Sequence, residues 1–231
     1  MEKEAIIFID YNETFDDITN GKGNVFICAL RRFIKHFDGN VRIVVISSAI
    51  CKNKDLSIKD DLAFTINHLP KLIREKFCFL IEENCRYIST INTNQSETTF
   101  SEREILSISN GTKKDGVELT LKHIDPNNQS NLCVFAGNSE IADLVMMDAN
   151  VGGRDKYFLL ANRRVLKSAT HPVYKLSMRP EKRLYDFSAE ITQQLGQSKN
   201  IIIKTSCNSY GVGRGLETVT NLIKHNEDLS K

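Results

Sequence analysis

The chain has 231 residues, of which 41% are hydrophobic and 26% charged, proportions that exclude a disordered chain and are typical of globular proteins. Its 31 Lys and Arg residues nearly balance 29 Asp and Glu residues, so no strong nucleic-acid signal arises from charge. We expect a single domain, 1–231, because single cores grow to roughly 250 residues before they split.

The sequence predicts neither a membrane span nor a secretion signal. The N-terminal apolar run 5–9 is too short to cross a bilayer, and it follows acidic residues without a signal-peptide cleavage pattern. Six cysteines are scattered without a Cys-x-x-Cys pair, which is typical of reduced, buried thiols. We therefore expect a cytoplasmic protein.

Short β-branched runs alternate with segments of helical periodicity along the chain. In the first half the predicted elements are strand 5–9, helix 25–37, strand 41–46, helix 56–75 with a kink at Pro70, and strand 77–81. In the second half they are helix 115–124, strand 132–136, helix 141–147, strand 157–160, helix 181–195, edge strand 201–204 and helix 216–225. This alternation predicts an α/β three-layer sandwich around a parallel, Rossmann-like sheet.

Two segments depart from this alternation. Asn, Ser, Thr and Gln accumulate within 87–110 and the apolar periodicity fades, so we predict a small cap or flap insert there. The glycine-rich stretch 211–215 lacks the Lys-Ser or Lys-Thr pair of a phosphate-binding loop, and we predict a structural turn.

Polar residues follow three of the predicted strands directly. Asp10, Ser47 and Asn138 each stand where an apolar run ends. Parallel α/β sheets bind ligands at the carboxyl ends of their strands. We therefore expect these three residues to contribute to one site.

The segment 6–14 resembles the first motif of the haloacid dehalogenase superfamily, an apolar strand followed by Asp-x-Asp-x-Thr. The resemblance implies that Asp10 is a nucleophile forming an aspartyl-phosphate and that the Thr14 hydroxyl supports the loop. Asn12 stands where the family has an aspartate that serves as general acid and base. An amide cannot fill that role.

Two further segments resemble the second and third motifs of this superfamily. Ser47, with Ser48 directly after it, stands where a hydroxyl and a backbone amide hold phosphoryl oxygens. The segment 112–119 resembles the third motif, a lysine at the start of a helix that stabilises the phosphoryl group. Lys113 and Lys114 both satisfy that pattern.

The segment 134–143 resembles the fourth motif, which supplies ligands for Mg²⁺. The resemblance implies a metal site formed by Asp10, the carbonyl of Asn12, Asn138 and Asp143, with Asn138 at a position where aspartate is usual. The overall pattern is most similar to small-cap sugar phosphatases of the family.

These features predict an Mg²⁺-dependent phosphatase. Because the predicted cap is small, we expect a phosphorylated macromolecule as substrate, with a sugar or nucleotide phosphate as the alternative. The loss of two carboxylates, at Asn12 and Asn138, favours aryl phosphates as test substrates. It also supports a different interpretation, in which the chain is a catalytically impaired binding module.

Overall fold

The computed structural model describes residues 4–12, 14–15, 18, 23–48, 58–93, 97–107, 111–127, 130–162, 173–175, 200–205 and 208–229. These residues form a ten-stranded sheet in the order β5-β4-β3-β2-β1-β7-β8-β10-β9, with β6 also paired to β4. The strands are β1 (Ala5–Asp10), β2 (Val41–Ile46), β3 (Phe77–Glu82), β4 (Tyr87–Asn92), β5 (Thr99–Phe100), β6 (Glu104–Ile105), β7 (Leu132–Gly137), β8 (Asp155–Ala161), β9 (Val173–Lys175) and β10 (Ile201–Thr205).

Helices cover both faces of this sheet. They are α1 (Asn24–His36), α2 (Ile58–Asn67), α3 (Lys71–Arg74), α4 (Lys113–Ile124) and α5 (Asn208–Leu229), with a 3-10 helix at Leu144–Asp148. The strands in the spatial order β3-β2-β1-β7-β8-β10-β9 are parallel to their neighbours. Strand β4 pairs antiparallel with β3, β5 and β6. The predicted three-layer, Rossmann-like architecture is confirmed.

The central strand β1 contributes to two separate cores because its side chains alternate between the faces of the sheet. Ile7 and Ile9 pack in the core formed with α1, α2, α3 and α5. Ile6 and Phe8 pack in the core formed with α4 and the 3-10 helix. Asp10 continues the alternation of Ile6 and Phe8, which directs it to the face that α4 covers.

Three predictions about individual elements were wrong. Strand β10 is not an edge strand, because it pairs with β8 on one side and β9 on the other. The expected helix 141–147 is a turn followed by a 3-10 helix that begins at Leu144. The stretch 211–215 lies inside α5, and Gly213 permits close packing there, since a Cβ would lie 2.6 Å from the Phe26 nitrogen of α1.

The described strands within the predicted cap belong to the sheet. Strand β4 pairs antiparallel with β3, and β5 and β6 pair with β4, so the segment widens the sheet beyond β3. Arg103 donates hydrogen bonds of 2.9 Å to Glu82 and to Glu83, which ties this segment to the end of β3. The division of 1–231 into a core and an 87–110 cap stays a prediction.

The predicted helix 181–195 lies outside the described residues. Within the part of the chain that the structure describes, no helix has both the length and the apolar character needed to cross a membrane.

Candidate active site

A lysine and two aspartates meet at the carboxyl edge of the sheet. The Lys113 ammonium lies 2.5 Å from Oδ1 of Asp10 and also donates to Oδ1 of Asp143. Asp10 ends β1, Asp143 lies in the loop after β7, and Lys113 is the first residue of α4. All three are at most 5% exposed. Two carboxylates and one ammonium give this buried cluster a net charge of −1.

Residues close to Lys113 in the chain determine where α4 begins, and therefore where Lys113 lies. Thr112 is the N-cap residue, and its main-chain N–H donates to Asp115 Oδ2 at 2.7 Å in a capping box. The predicted helix 115–124 starts two residues too late, because α4 begins at Lys113 and Asp115 lies within its first turn. The preceding Gly111 donates its N–H to the carbonyl of Asn84, 2.9 Å away, which anchors the helix start to the turn after β3.

That turn after β3 has an unusual backbone. Glu83, Asn84 and Cys85 have φ values of 51°, 54° and 64°, in the left-handed region that side chains with a Cβ adopt at a cost. Cys85 packs against Gly116 of α4 so closely that a Cβ on that glycine would lie 2.3 Å from the sulfur. Strained backbone therefore supports the helix that carries Lys113.

Asp143 is held by the loop in which it lies. Its Oδ2 accepts hydrogen bonds from the main-chain N–H groups of Asn138 and Ser139, at 2.9 and 2.8 Å. Gly137 makes room for this carboxylate, since a Cβ there would lie 2.5 Å from the Asp143 side chain. Both Asp143 oxygens thus have donors within the chain, and this residue acts as a partner of Lys113.

Electrostatic effects within the cluster oppose one another. Burial raises the pKa of Asp10 to about 6, and the charge of Asp143 adds to this rise, whereas the Lys113 ammonium opposes it. Burial alone would lower the pKa of Lys113, but the two carboxylates raise it above its ordinary value. Lys113 therefore stays protonated at neutral pH while Asp10 is mostly ionised.

The two asparagines of the predicted metal site are close neighbours. Nδ2 of Asn138 lies 3.4 Å from the main-chain oxygen of Asn12, whose side chain is exposed. No group of three or more His, Cys, Asp or Glu side chains is placed to hold a metal among the described residues. The Asp10 carboxylate, the main-chain carbonyl of Asn12 and the side-chain amide oxygen of Asn138 all offer oxygen ligands, which suit a hard cation such as Mg²⁺. These ligands are of the type that Mg²⁺ prefers, but only one of them is a carboxylate, so we predict weak affinity for Mg²⁺.

The remaining predicted residues have distinct positions. The Lys114 side chain is half-buried, and among the described residues the cluster contains Lys113 and not Lys114. Ser47 is buried beside the end of β1, but its main-chain N–H donates to the carbonyl of Ile81 at 2.9 Å, so that amide belongs to the sheet. Thr14 is fully buried, and its hydroxyl has no hydrogen-bond partner among the described residues. Its role in supporting the loop stays a prediction.

Two residues at this edge were not identified from the sequence. Nδ2 of Asn162 donates to the main-chain oxygen of Asn138 at 2.8 Å, and Nζ of Lys204 donates to Oδ1 of Asn162 at 2.9 Å. Asn162 directly follows β8 and Lys204 lies near the end of β10. The signal was available, because each residue is a polar group at the carboxyl end of an apolar run.

Comparisons with known proteins add little. No protein-family model matches this sequence, and no curated protein sequence matches it. Among solved structures, an IMP-nucleotidase of Plasmodium falciparum matches with a TM-score of 0.31 and 14% identity, over 43% of this chain and 23% of that chain. At this level of similarity, neither the fold nor the activity of the Plasmodium enzyme transfers to this chain.

Proposed function

We propose that this chain hydrolyses phosphomonoesters, with Asp10 as the nucleophile. The supporting observation is the buried cluster in which Lys113 contacts both Asp10 and Asp143 at the carboxyl edge of a parallel sheet. A carboxylate attacks an anionic phosphate only when nearby cations offset the charge of both, and we propose that Lys113, which contacts Asp10, supplies part of that positive charge. The order of the motif-like segments along the chain supports the same proposal.

The proposed reaction has two steps. First, an Asp10 oxygen bonds to phosphorus as the bond to the leaving oxygen breaks, which gives an aspartyl-phosphate and an alkoxide or phenolate. A water oxygen then bonds to this phosphorus as the bond between phosphorus and the Asp10 oxygen breaks, which releases inorganic phosphate carrying the water protons and restores the carboxylate. Lys113 holds the phosphoryl oxygens throughout, and Asp143 keeps Lys113 in place.

The leaving group determines which substrates react. Asn12 has no titratable proton, so the leaving oxygen departs as an anion or takes its proton from water. Losing a general acid typically costs about 10² to 10⁴ in rate, and the cost is smaller when the leaving group is a stable anion. We therefore propose that aryl phosphates react faster than alkyl phosphates.

We propose that Mg²⁺ is held by Asp10, by the main-chain carbonyl of Asn12 and by the side chain of Asn138. Bound there, Mg²⁺ would supply Lewis-acid polarisation of a phosphoryl oxygen. Asp143 was expected among the ligands, but its oxygens already accept from Lys113 and two main-chain N–H groups. We assign it to positioning Lys113.

A phosphorylated protein is the substrate that we propose. The described strands of 87–107 pair in the plane of the sheet beyond β3, and the side chain of Asn12, two positions after Asp10, is exposed. From these two observations we infer a site that is open on the Asn12 side. An open site admits a bulky substrate but encloses a small one poorly. A phosphopeptide panel tests this, because turnover of sugar and nucleotide phosphates without turnover of any phosphopeptide would contradict it.

A second candidate function is phosphate binding without turnover, as an interaction module. The specific observation in its favour is that amides stand at Asn12 and Asn138, where a phosphatase of this kind uses carboxylates. In that case the cluster of Lys113 and Asp10 would bind a phosphorylated partner and leave it intact.

Hydrolysis of p-nitrophenyl phosphate, with and without Mg²⁺, distinguishes the two. We expect turnover by the wild type and by Asp155→Asn, a control at the amino end of β8, and loss of turnover in Asp10→Asn. Unchanged activity in Asp10→Asn would refute the nucleophile assignment. No turnover in any variant, with retained binding of a phosphopeptide, would support the interaction module.

A further inference from the structure

The carboxyl edge of the sheet carries a chain of hydrogen bonds that extends well beyond the predicted site. It runs from Lys204 to Asn162, from Asn162 to the main-chain oxygen of Asn138, and from the Asn138 side chain to the carbonyl of Asn12. These four residues belong to four neighbouring strand ends, those of β10, β8, β7 and β1. Two of the four, Asn12 and Asn138, are the proposed cation ligands.

Asn138 needs this support because it lies just past the end of a strand. The pairing of β7 with β8 ends where Gly137 is opposite Leu160, so the carbonyl of Asn138 lies beyond the ladder. The Asn162 side chain supplies the hydrogen bond that the strand pairing no longer provides. The hydrogen bond from Asn162 therefore acts together with the hydrogen bond from the Asn138 main-chain N–H to Asp143 in holding Asn138 in place.

Lys204 determines which way the Asn162 amide faces. A lysine ammonium can only donate hydrogen bonds, so it contacts the amide oxygen and leaves the NH₂ group for the Asn138 carbonyl. Without this cation the amide could turn over and place its oxygen against another oxygen. Lys204 and Asn162 therefore act as one unit on Asn138.

We infer that Asn162 and Lys204 are positioning residues that hold Asn138 against Asn12 and so set the strength of cation binding at the site, an inference that rests on the proposed function. Residues that hydrogen-bond to metal ligands commonly have this effect, and their loss typically costs about 10- to 100-fold in metal affinity or activity. Here the support matters more, because Asn138 is a neutral ligand that charge alone would not attract to a cation.

Four variants of the full chain test this inference. Asn162→Asp keeps the acceptor for Lys204 but loses the donor to Asn138, and Lys204→Met removes the ammonium while keeping a side chain of similar length. Lys204→Arg keeps a hydrogen-bond donor for Asn162 and is expected to behave like the wild type. Lys156→Met is the matched control, because Lys156 is likewise a half-buried lysine of the sheet. It donates hydrogen bonds to the main-chain oxygens of Met147 and Ala149 and lies at the opposite, amino end of β8.

The first measurement does not depend on any ligand. Hydrogen exchange at the amides of Asn138 and Ser139, which donate to Asp143, is expected to speed up about tenfold in Asn162→Asp and Lys204→Met. Lys156→Met and Lys204→Arg are expected to match the wild type at these amides. Unchanged exchange in Asn162→Asp would overturn the positioning role.

The second measurement is Mg²⁺ binding by calorimetry, with p-nitrophenyl phosphate turnover alongside. We expect about tenfold weaker Mg²⁺ binding in Asn162→Asp and Lys204→Met, with turnover restored by raising Mg²⁺. Equal Mg²⁺ affinity in Asn162→Asp and the wild type would overturn the inference. A wild type that neither binds Mg²⁺ nor hydrolyses the substrate would remove the proposed function, and the exchange rates alone would then decide the positioning role.

Discussion

Nζ of Lys113 lies 2.5 Å from Oδ1 of Asp10, although 103 positions separate the two residues in the chain. One residue ends the central strand and the other begins a helix on the face to which that strand end points. Both are buried, so the attraction between their charges is screened little by water. This contact, shared with Asp143, is the centre of the proposed active site.

Lys113→Met and Lys114→Met are expected to differ sharply. The first leaves Asp10 and Asp143 buried without their cation, which typically costs about 3 to 5 kcal/mol of unfolding free energy, and it removes the group that offsets the phosphate charge. The second changes a half-buried lysine next to the cluster and is expected to change stability by less than about 1 kcal/mol. Urea unfolding at pH 7 and p-nitrophenyl phosphate turnover measure both. Similar losses in the two variants would contradict the assignment of Lys113.

The raised pKa of Asp10 predicts how stability depends on pH in EDTA. Because this pKa rises from 3.8 to about 6 on folding, the folded state binds the proton more tightly than the unfolded chain. The contribution of Asp10 protonation to the free energy of unfolding is therefore complete below about pH 3.8 and is lost as the pH rises through 6. Relative to Asp10→Asn, the wild type is expected to lose up to about 3 kcal/mol between pH 4 and pH 7. A stability difference that stays constant over this range, measured by urea unfolding, would contradict the prediction.

Asn84→Gly is expected to stabilise the protein. Asn84 has a φ of 54°, a conformation that costs a residue with a Cβ roughly 1 kcal/mol more than glycine. The hydrogen bond from Gly111 uses the Asn84 main-chain oxygen and survives the change. Thermal unfolding should show an increased Tm for Asn84→Gly and a decreased Tm for Asn84→Ala. A decrease in both would show that the asparagine side chain has a role of its own.

Cysteine labelling is expected to separate an exposed thiol from buried ones. Cys28 is exposed, whereas Cys85 and Cys133 are buried. Burial raises the pKa of Cys85 to about 11 and that of Cys133 to about 12, so neither forms the reactive thiolate at pH 8. Iodoacetamide followed by peptide mass analysis should find Cys28 labelled in the native protein and the other two labelled only in denaturant. Native labelling of Cys85 would show that the turn after β3 opens.

The sequence alone determined the architecture and most strand positions. The runs at 5–9, 41–46 and 132–136 differ from the observed strands by at most one residue. Strands buried on both faces are continuous apolar runs, and that signal is local. The polar residues Asp10, Ser47 and Asn138 were located for the same reason, since they mark where each run ends.

Only the tertiary structure decided which of these polar groups meet. Sequence pattern could not choose between Lys113 and Lys114, because adjacent helical residues point in directions about 100° apart and the choice depends on where the helix begins against the sheet. Nor could it identify β9 beyond β10, or the contacts of Asn162 and Lys204 with Asn138. Periodicity is a property of neighbouring residues, whereas strand order and the convergence of side chains depend on contacts between segments far apart in the chain.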